Sequence, residues 1–300
     1  MIVVFGSINI DQVYQMDVLP RAGETVHGNR YLQVPGGKGA NQALAARRAG
    51  ADVTMIGCVG KDANADPALS LMKADGINLD SVAALAEPTG CASIWVDGSG
   101  ENSIAVIAGA NGQVKATQVT DELLSKTDFL LMQMEVPQAE NWALLFRAKK
   151  AGVRTLLNLA PVFDVPATIL DDLDYLVVNE VEAAALAAQH HMKDLTGKAL
   201  AQELSSRFDL CCVLTLGGEG AIAAENGSVF TSNALDIQPV DTTAAGDSFI
   251  GGFSAALVDG RSTADALQFA VVTAGLTCME AGAQTSLPHR REIDATLDTL

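Results

Sequence analysis

The sequence predicts an α/β protein, with a mostly parallel central sheet flanked by helices and a smaller β-sheet beside it. Three observations predict this. Apolar runs of about five residues recur along the chain, from Met1-Ile2-Val3-Val4-Phe5 to Cys211-Cys212-Val213-Leu214, with helical stretches between them. The runs are apolar at consecutive positions, as in strands covered on both faces. Two stretches, 13–35 and 91–108, depart from this rhythm with turn residues and short alternating segments.

Taken in order, the first run ends in Gly6-Ser7-Ile8-Asn9-Ile10-Asp11. Asn9 and Asp11 alternate with Ile8 and Ile10, so they share a face at a strand's C-terminal end, where open α/β sheets bind ligands. The pair suits a polyhydroxylated ligand; a turn-forming Asn/Asp pair is the plainer reading. Pro20, Gly23, Gly28 and Pro35 then punctuate short strands. Gly36-Gly37-Lys38-Gly39-Ala40-Asn41 is a glycine-rich turn feeding an alanine-rich helix that stops at Gly50. It lacks Walker spacing, but its glycines let a ligand lie against the backbone, and Lys38 and Asn41 sit in the first turn. A structural glycine hinge is the rival reading.

Val53 to Val59 closes a β–α–β unit, and Asp62 to Asp75 reads as a helix. Residues 91–108 form a hairpin around Asp97-Gly98-Ser99-Gly100. It is apolar on both faces, with Ala92, Ile94 and Val96 on one and Cys91 and Trp95 on the other. A hairpin cannot bury two faces alone, so one face is free for a ligand and the other for a partner subunit, unless both pack on the protein's own core. Later strands end in Gln133-Met134-Glu135, Asn158, Asn179-Glu180-Val181-Glu182 and Thr215-Leu216-Gly217-Gly218-Glu219-Gly220. Ala221–Ala224 and Val229-Phe230 read as an antiparallel excursion. Helices follow over 248–259 and 262–280.

Asp241-Thr242-Thr243-Ala244-Ala245-Gly246-Asp247 introduces the first of these two helices. Its small residues leave the helix N-terminal amides bare, a ready anion site. Asp247 in the same turn would repel an anion, and makes sense as a base acting on whatever attacks it. A capped helix with a solvated acid is the alternative.

Charge and composition exclude several functions. Net charge is −17, which argues against nucleic acid or an anionic membrane as partner. No run reaches the roughly 18 apolar residues of a membrane span. The first residues carry no basic n-region and read as a strand, so the expected compartment is the cytoplasm. Cys58, Cys211, Cys212 and Cys278 lie in apolar runs and, like Cys91, form no C-x-x-C pair. His190-His191 reads as a solvated helix end, and no metal-ligand cluster is visible.

The strand ends thus present Asn9, Asp11, Gly37, Lys38, Asn41 and Glu135, which suit hydroxyls, then Asn179, Glu182, Thr215, Gly217 and Gly220, which suit phosphates. Together they suggest a two-substrate site whose halves meet at Asp247. With these motifs in this order, the chain resembles the ribokinase family of carbohydrate kinases, also called the PfkB family, over essentially its whole length. The early Gly36-Gly37-Lys38-Gly39-Ala40-Asn41 and late Asp241–Asp247 segments carry the family signatures. Pro20-x-x-Gly23-Glu24-Thr25, Gly109-Ala110-Asn111 and Gly282-Ala283-Gln284 support them.

The resemblance implies a three-layer sandwich core over 1–12, 36–90 and 109–300, with a β lid at 13–35 and 91–108 that clasps a second copy in a homodimer. It implies ATP-dependent phosphorylation of D-ribose at O5 to D-ribose 5-phosphate. Asp247 would be the base, with the amides of Ala244, Ala245 and Gly246 as anion hole. Asn9, Asp11, Gly37, Lys38, Asn41 and Glu135 would hold the sugar. Thr215, Gly217, Gly220, Gly246 and Asn179 would line the nucleotide, and Glu182 would organise Mg²⁺ through water. Asp241, Thr243, Ala283 and Ser286 would frame an activating K⁺ or similar monovalent cation. A family kinase for another sugar or nucleoside, and a sugar-binding regulator without catalysis, are the alternatives. Three departures stand out: Ala244 replaces a common glycine, Asn158-Leu159-Ala160-Pro161 stands where Asn-Pro-Ala-Pro is common, and Val271 and its neighbours lack an obvious polar partner for adenine, which leaves the base contacts apolar or from backbone.

Overall fold

The computed structural model describes residues 1–192 and 195–300. Along the chain run β1 (Ile2–Phe5), β2 (Asn9–Met16), β3 (Gly28–Gly36), α1 (Lys38–Arg48), β4 (Val53–Gly60), α2 (Ala65–Ala74), β5 (Val82–Leu85), β6 (Gly90–Val96) and β7 (Asn102–Ile107). The second half holds α3 (Asp121–Leu124), β8 (Phe129–Gln133), α4 (Gln138–Ala151), β9 (Arg154–Asn158), α5 (Ala167–Leu170), β10 (Tyr175–Asn179), α6 (Glu180–Gln189) and α7 (Gly197–Phe208). It closes with β11 (Cys211–Thr215), β12 (Ala221–Glu225), β13 (Ser228–Ser232), α8 (Ala245–Val258), α9 (Thr263–Thr277) and α10 (Arg290–Leu297).

Nine strands form the large sheet in the order β13-β12-β11-β10-β9-β8-β1-β4-β5. The seven from β11 to β5 are parallel, and β12 and β13 add the antiparallel excursion at one edge. The consecutive apolar runs have a direct cause. In β1, Ile2 and Val4 join one buried cluster with α1, α2, α8 and α9, while Val3 and Phe5 join another with α4, α6 and α7. The sheet is therefore covered on both faces, giving three layers. Among the described residues, no helix is long and apolar enough to cross a membrane.

A second sheet, β3-β2-β6-β7, stands apart. It begins at Asn9, inside the stretch 1–12 that the sequence reading assigned to the core. Asn9 and Asp11 therefore do not sit at the end of β1, as expected, but on a strand of the small sheet. The chain leaves the large sheet at Gly6-Ser7-Ile8. There the Ser7 carbonyl accepts from the Ala40 amide and the Ile8 amide donates to Asn111 Oδ1. Edge strand β7 is exposed at every residue.

His190 is buried, with its ring nitrogen against the Val165 carbonyl, so that half of the expected solvated helix end is corrected. Met192 packs into the core, and Lys193 lies outside the described residues.

Candidate active site

The site forms where the C-terminal ends of β1, β8, β10 and β11 face the N-termini of α1, α6 and α8. In an α/β sheet this is the edge that collects loops and helix dipoles. Registers place the residues in pairs: Asn179 lies beside Thr215, and Gln133 beside Asn158.

Two cavities meet here. The larger, about 350 Å³, is lined by Thr215, Gly217, Gly220, Leu235, Val271 and Gly246, among others. The smaller, about 180 Å³, is lined by Lys38, Asn179, Glu182, Ala244, Gly246 and Asp247, among others. Thr215, Thr242, Ala245 and Gly246 belong to both, so the cavities join at the start of α8.

That start has the form expected of an anion site. No side chain caps α8, and Ala244 before it takes a left-handed conformation (φ +61°), which costs a non-glycine residue about 1–2 kcal/mol. Nothing would lie within 4 Å of a Cβ at Gly246. The Gly246 and Ala244 amides make no backbone hydrogen bond. The Ala245 amide donates to Thr242 O at 3.2 Å, so it is less free than expected.

Asp247 is buried, and both its carboxylate oxygens are held. Asn41 Nδ2 donates to Oδ2 at 2.9 Å and Gln42 Nε2 donates to Oδ1 at 2.8 Å. Asn41 in turn accepts from Gln284 Nε2 at 3.1 Å, and the Gln42 amide group also donates to Asn158 Oδ1. The acid is oriented from two sides by helix α1. Gln42 and Gln284 were given no role in the sequence reading. The available signal was a lone glutamine following Asn41 in an alanine-rich helix.

The hydroxyl-directed residues gather beside it. Gly37 (φ +89°) brings the chain so close that a Cβ would stand 2.8 Å from the Asn9 amide nitrogen. Glu135 Oε2 accepts from the Ser7 hydroxyl at 2.5 Å and the Lys38 amide at 3.1 Å. Asn9 Oδ1 accepts from Asn111 Nδ2 at 2.7 Å, which fixes its orientation. Ser7 and Asn111 were likewise missed as supports. Lys38 is held above the usual lysine range, first by the charge of Asp247, with Glu135 and Glu182 adding to it and burial opposing.

Asp11 is the unusual member. Its Oδ1 is buried without a partner. Burial pushes its carboxyl up to about 7, and the charges of Glu135 and Asp247 push the same way. The folded protein thus holds this proton more tightly than the unfolded chain, where the value is 3.8. Between those values folding takes up a proton, so this group's contribution to stability falls as pH rises across the window. Asp11→Asn is expected to raise the melting temperature at pH 8 and to leave it nearly unchanged at pH 4. Thermal unfolding at both pH values checks this, and an equal shift at both would contradict it.

On the phosphate side, Gly220 (φ +99°) passes so near Asn233 and Ala234 that a Cβ would stand 2.7 Å from the Ala234 amide nitrogen. Glu182 and Asn179 form a reciprocal helix cap: each side chain accepts from the other's amide at 2.8 Å. Burial raises the Glu182 carboxyl, while the Asn179 amide and the charge of Lys38 act against it. Among the described residues no three His, Cys, Asp or Glu side chains gather to hold a metal.

The last group lies at the mouth of α8. Asp241 Oδ1 accepts from the Thr243 amide and hydroxyl, and Oδ2 accepts from the Gly282 amide at 2.9 Å. Burial would raise the Asp241 carboxyl, but these donors outweigh it and hold it low. Ser286 Oγ reaches the Gly282 and Ala283 carbonyls at 2.6 and 2.9 Å. Segments 241–243 and 282–286 are thus tied together.

The pfkB family carbohydrate kinase description matches residues 1–290. The chain is 38% identical to a ribokinase of Schizosaccharomyces pombe, covering 99% of this chain and 98% of that one. It is 34% identical to a ribokinase of Lactococcus lactis, covering 99% and 97%. Its fold superposes on a ribokinase crystal structure from Thermotoga maritima with a TM-score of 0.93, at 32% identity and 99% coverage of both chains. It also superposes on Arabidopsis thaliana ribokinase complexed with ribose and ATP, with a TM-score of 0.89, at 30% identity and covering 99% and 98%.

Proposed function

The chain belongs to the pfkB family of carbohydrate kinases, and we propose that it transfers the γ-phosphoryl group of ATP to O5 of D-ribose, giving ADP and D-ribose 5-phosphate. The observation that carries this reading is the junction of the two cavities at the start of α8, with a buried, doubly held Asp247 beside open helix amides. The full-length likeness to ribokinases supports the choice of sugar.

In this reading the sugar lies between the small sheet and α1, held by Asn9, Asp11, Gly37, Lys38, Asn41 and Glu135. Asp247 takes the proton of the primary hydroxyl as its oxygen attacks the γ-phosphorus. The bond from that phosphorus to the β-phosphate oxygen breaks, and ADP leaves. The Ala244 and Gly246 amides receive the charge that spreads over the phosphoryl oxygens, with Ala245 contributing less because of its turn bond. Thr215, Gly217, Gly220 and Asn179 line the nucleotide. Positioning does most of the work, and covering the sugar excludes water as a rival acceptor.

Glu182, with its Oε2 held by the Asn179 amide, faces the smaller cavity and would organise Mg²⁺ through water, the ion being carried on the nucleotide phosphates. Such an ion would neutralise charge on the β- and γ-phosphates. The Gly282–Asp241 bond brings the segment of Asp241 and Thr243 beside that of Ala283 and Ser286, which supports a monovalent cation between them, with K⁺ as the expected ion. Turnover in K⁺ is expected to exceed that in a buffer holding only a large organic cation, and Asp241→Ala is expected to abolish the difference. Equal rates in both buffers would remove the cation from the proposal.

The lid supports a homodimer. Edge strand β7 leaves Ile104, Val106 and Ile107 each more than half exposed, with Trp95 exposed on β6 next to it. An apolar edge of this kind suits a second copy of the same sheet. The cysteines among the described residues are free, which suits a reducing compartment such as the cytoplasm.

Sugar-dependent ADP release over a panel of pentoses, hexoses and nucleosides tests the function. D-ribose should give the highest kcat/KM. Sugar binding without ADP release would favour a regulator instead.

A further inference from the structure

The larger cavity has an uneven lining. Its polar side chains are Thr215, Thr242 and Cys278. The first two belong to the end shared with the smaller cavity or face it, where phosphates would lie. The rest of the wall is built from Gly, Ala, Leu, Ile, Pro, Phe and Val side chains. At the far end, Leu235 and Ile237 come from a segment without regular structure, and Val271 and Gly275 from α9. Leu235 lies across Gly275, so close that a Cβ there would meet it at 2.8 Å. Burial keeps the Cys278 thiol above its usual range, so it stays a neutral, weak donor.

A base edge is told from another by fixed donors and acceptors that match it. A site built on such groups rejects a ligand lacking them by about 10⁴–10⁵-fold, whereas an apolar pocket separates similar ligands by only about 10–200-fold. The wall described here has no charged, amide or hydroxyl side chain at the base end. Every nucleobase has an apolar face to lay against Val271 and Leu235, and every one has an acceptor for a thiol.

We propose that this cavity selects its nucleotide through the phosphates and the flat faces of the base, not the base edge, so that the enzyme also takes GTP and other nucleoside triphosphates as phosphoryl donors. The inference rests on the kinase reading above. The step is the same for each donor: the sugar oxygen bonds to the γ-phosphorus, the bond to the β-phosphate oxygen breaks, the nucleoside diphosphate leaves, and Asp247 takes the hydroxyl proton. Pyrimidine donors, which bury less face, should be weaker than purine donors.

The test is kcat/KM for ATP, GTP, ITP and CTP with D-ribose at saturation, following nucleoside diphosphate release. GTP is expected within about 200-fold of ATP. A greater loss for GTP while ATP turns over would overturn this inference alone and leave the kinase reading intact. No turnover with any triphosphate would sink both. A second arm places a polar group in the wall: Val271→Asn is expected to change the ATP-to-GTP ratio of kcat/KM by about 10-fold or more. An unchanged ratio would mean the base does not rest on α9 and would overturn the assignment.

Discussion

Asp247→Asn is expected to lower kcat by about 10²–10⁴-fold, the range for removing a positioned general base, while sugar affinity changes little. The substitution keeps the shape of the side chain and removes its basicity. It also disturbs one hydrogen bond. Asp247 accepts from both Asn41 and Gln42, and an asparagine amide offers one acceptor and one donor group. One partner must therefore turn. Gln42 is the better placed, since its Oε1 is buried without a partner and could receive the new donor, although turning would give up the bond to Asn158. The stability cost should be on the order of 1–3 kcal/mol. Steady-state kinetics and calorimetric sugar titration check the prediction together. Near-wild-type kcat would remove Asp247 from the role of base. Lost sugar binding with lost turnover would assign it to holding the substrate.

Gly251→Val is expected to destabilise the protein and to reduce turnover in the fraction that folds. Helices α1 and α8 cross at this residue. A Cβ on Gly251 would stand 2.4 Å from Ala45 Cβ, 2.7 Å from the Ala46 nitrogen and 2.8 Å from the Gln42 carbonyl oxygen. Two of these atoms are backbone and cannot swing aside, so the helices must part. Overpacking of this kind costs about 1–3 kcal/mol, and valine adds further methyl groups beyond the first clash. The same crossing sets the proposed reaction centre, because α1 carries Asn41 and Gln42 and α8 carries Asp247. A shift near 1 Å between catalytic partners costs about 10²-fold in rate. Thermal unfolding and kcat of the soluble variant check it. A variant with unchanged melting temperature and kcat would show that the crossing has slack the close contacts do not suggest.

Both predictions turn on a helix pair that was only half legible in the chain. The glycine-rich entry to α1 and the small-residue entry to α8 were readable because each is a local signal, a few residues long. The strands of the large sheet were readable for the same reason. Burial on both faces forces Ile2, Val3, Val4 and Phe5 to be apolar without a gap. Asp247 could be singled out because a carboxylate in a bare first turn is out of place unless it acts on something.

What could not be read was who holds whom. Gln42 reaches Asp247 across 205 residues of sequence, Gln284 reaches Asn41 across 243, and Asn111 reaches Asn9 across 102. No period or cap marks such pairs, because the hydrogen bond is made only after the sheet has brought distant strand ends together. The place of Asn9 and Asp11 escaped for a related reason. Alternation with isoleucines assigned them correctly to one face, but a two-residue period is the same in any sheet. Only the pairing of β2 with β3 and β6 put them on the smaller one.

By itself, then, the sequence determined the layers, the order of the motifs and the acid at the start of α8, since each follows from interactions between near neighbours in the chain. Tertiary structure decided the orientation of that acid, the raised carboxyl of Asp11 and the full lining of the larger cavity. Each of these depends on which distant groups share a low-dielectric space, and close packing settles that for the molecule as a whole.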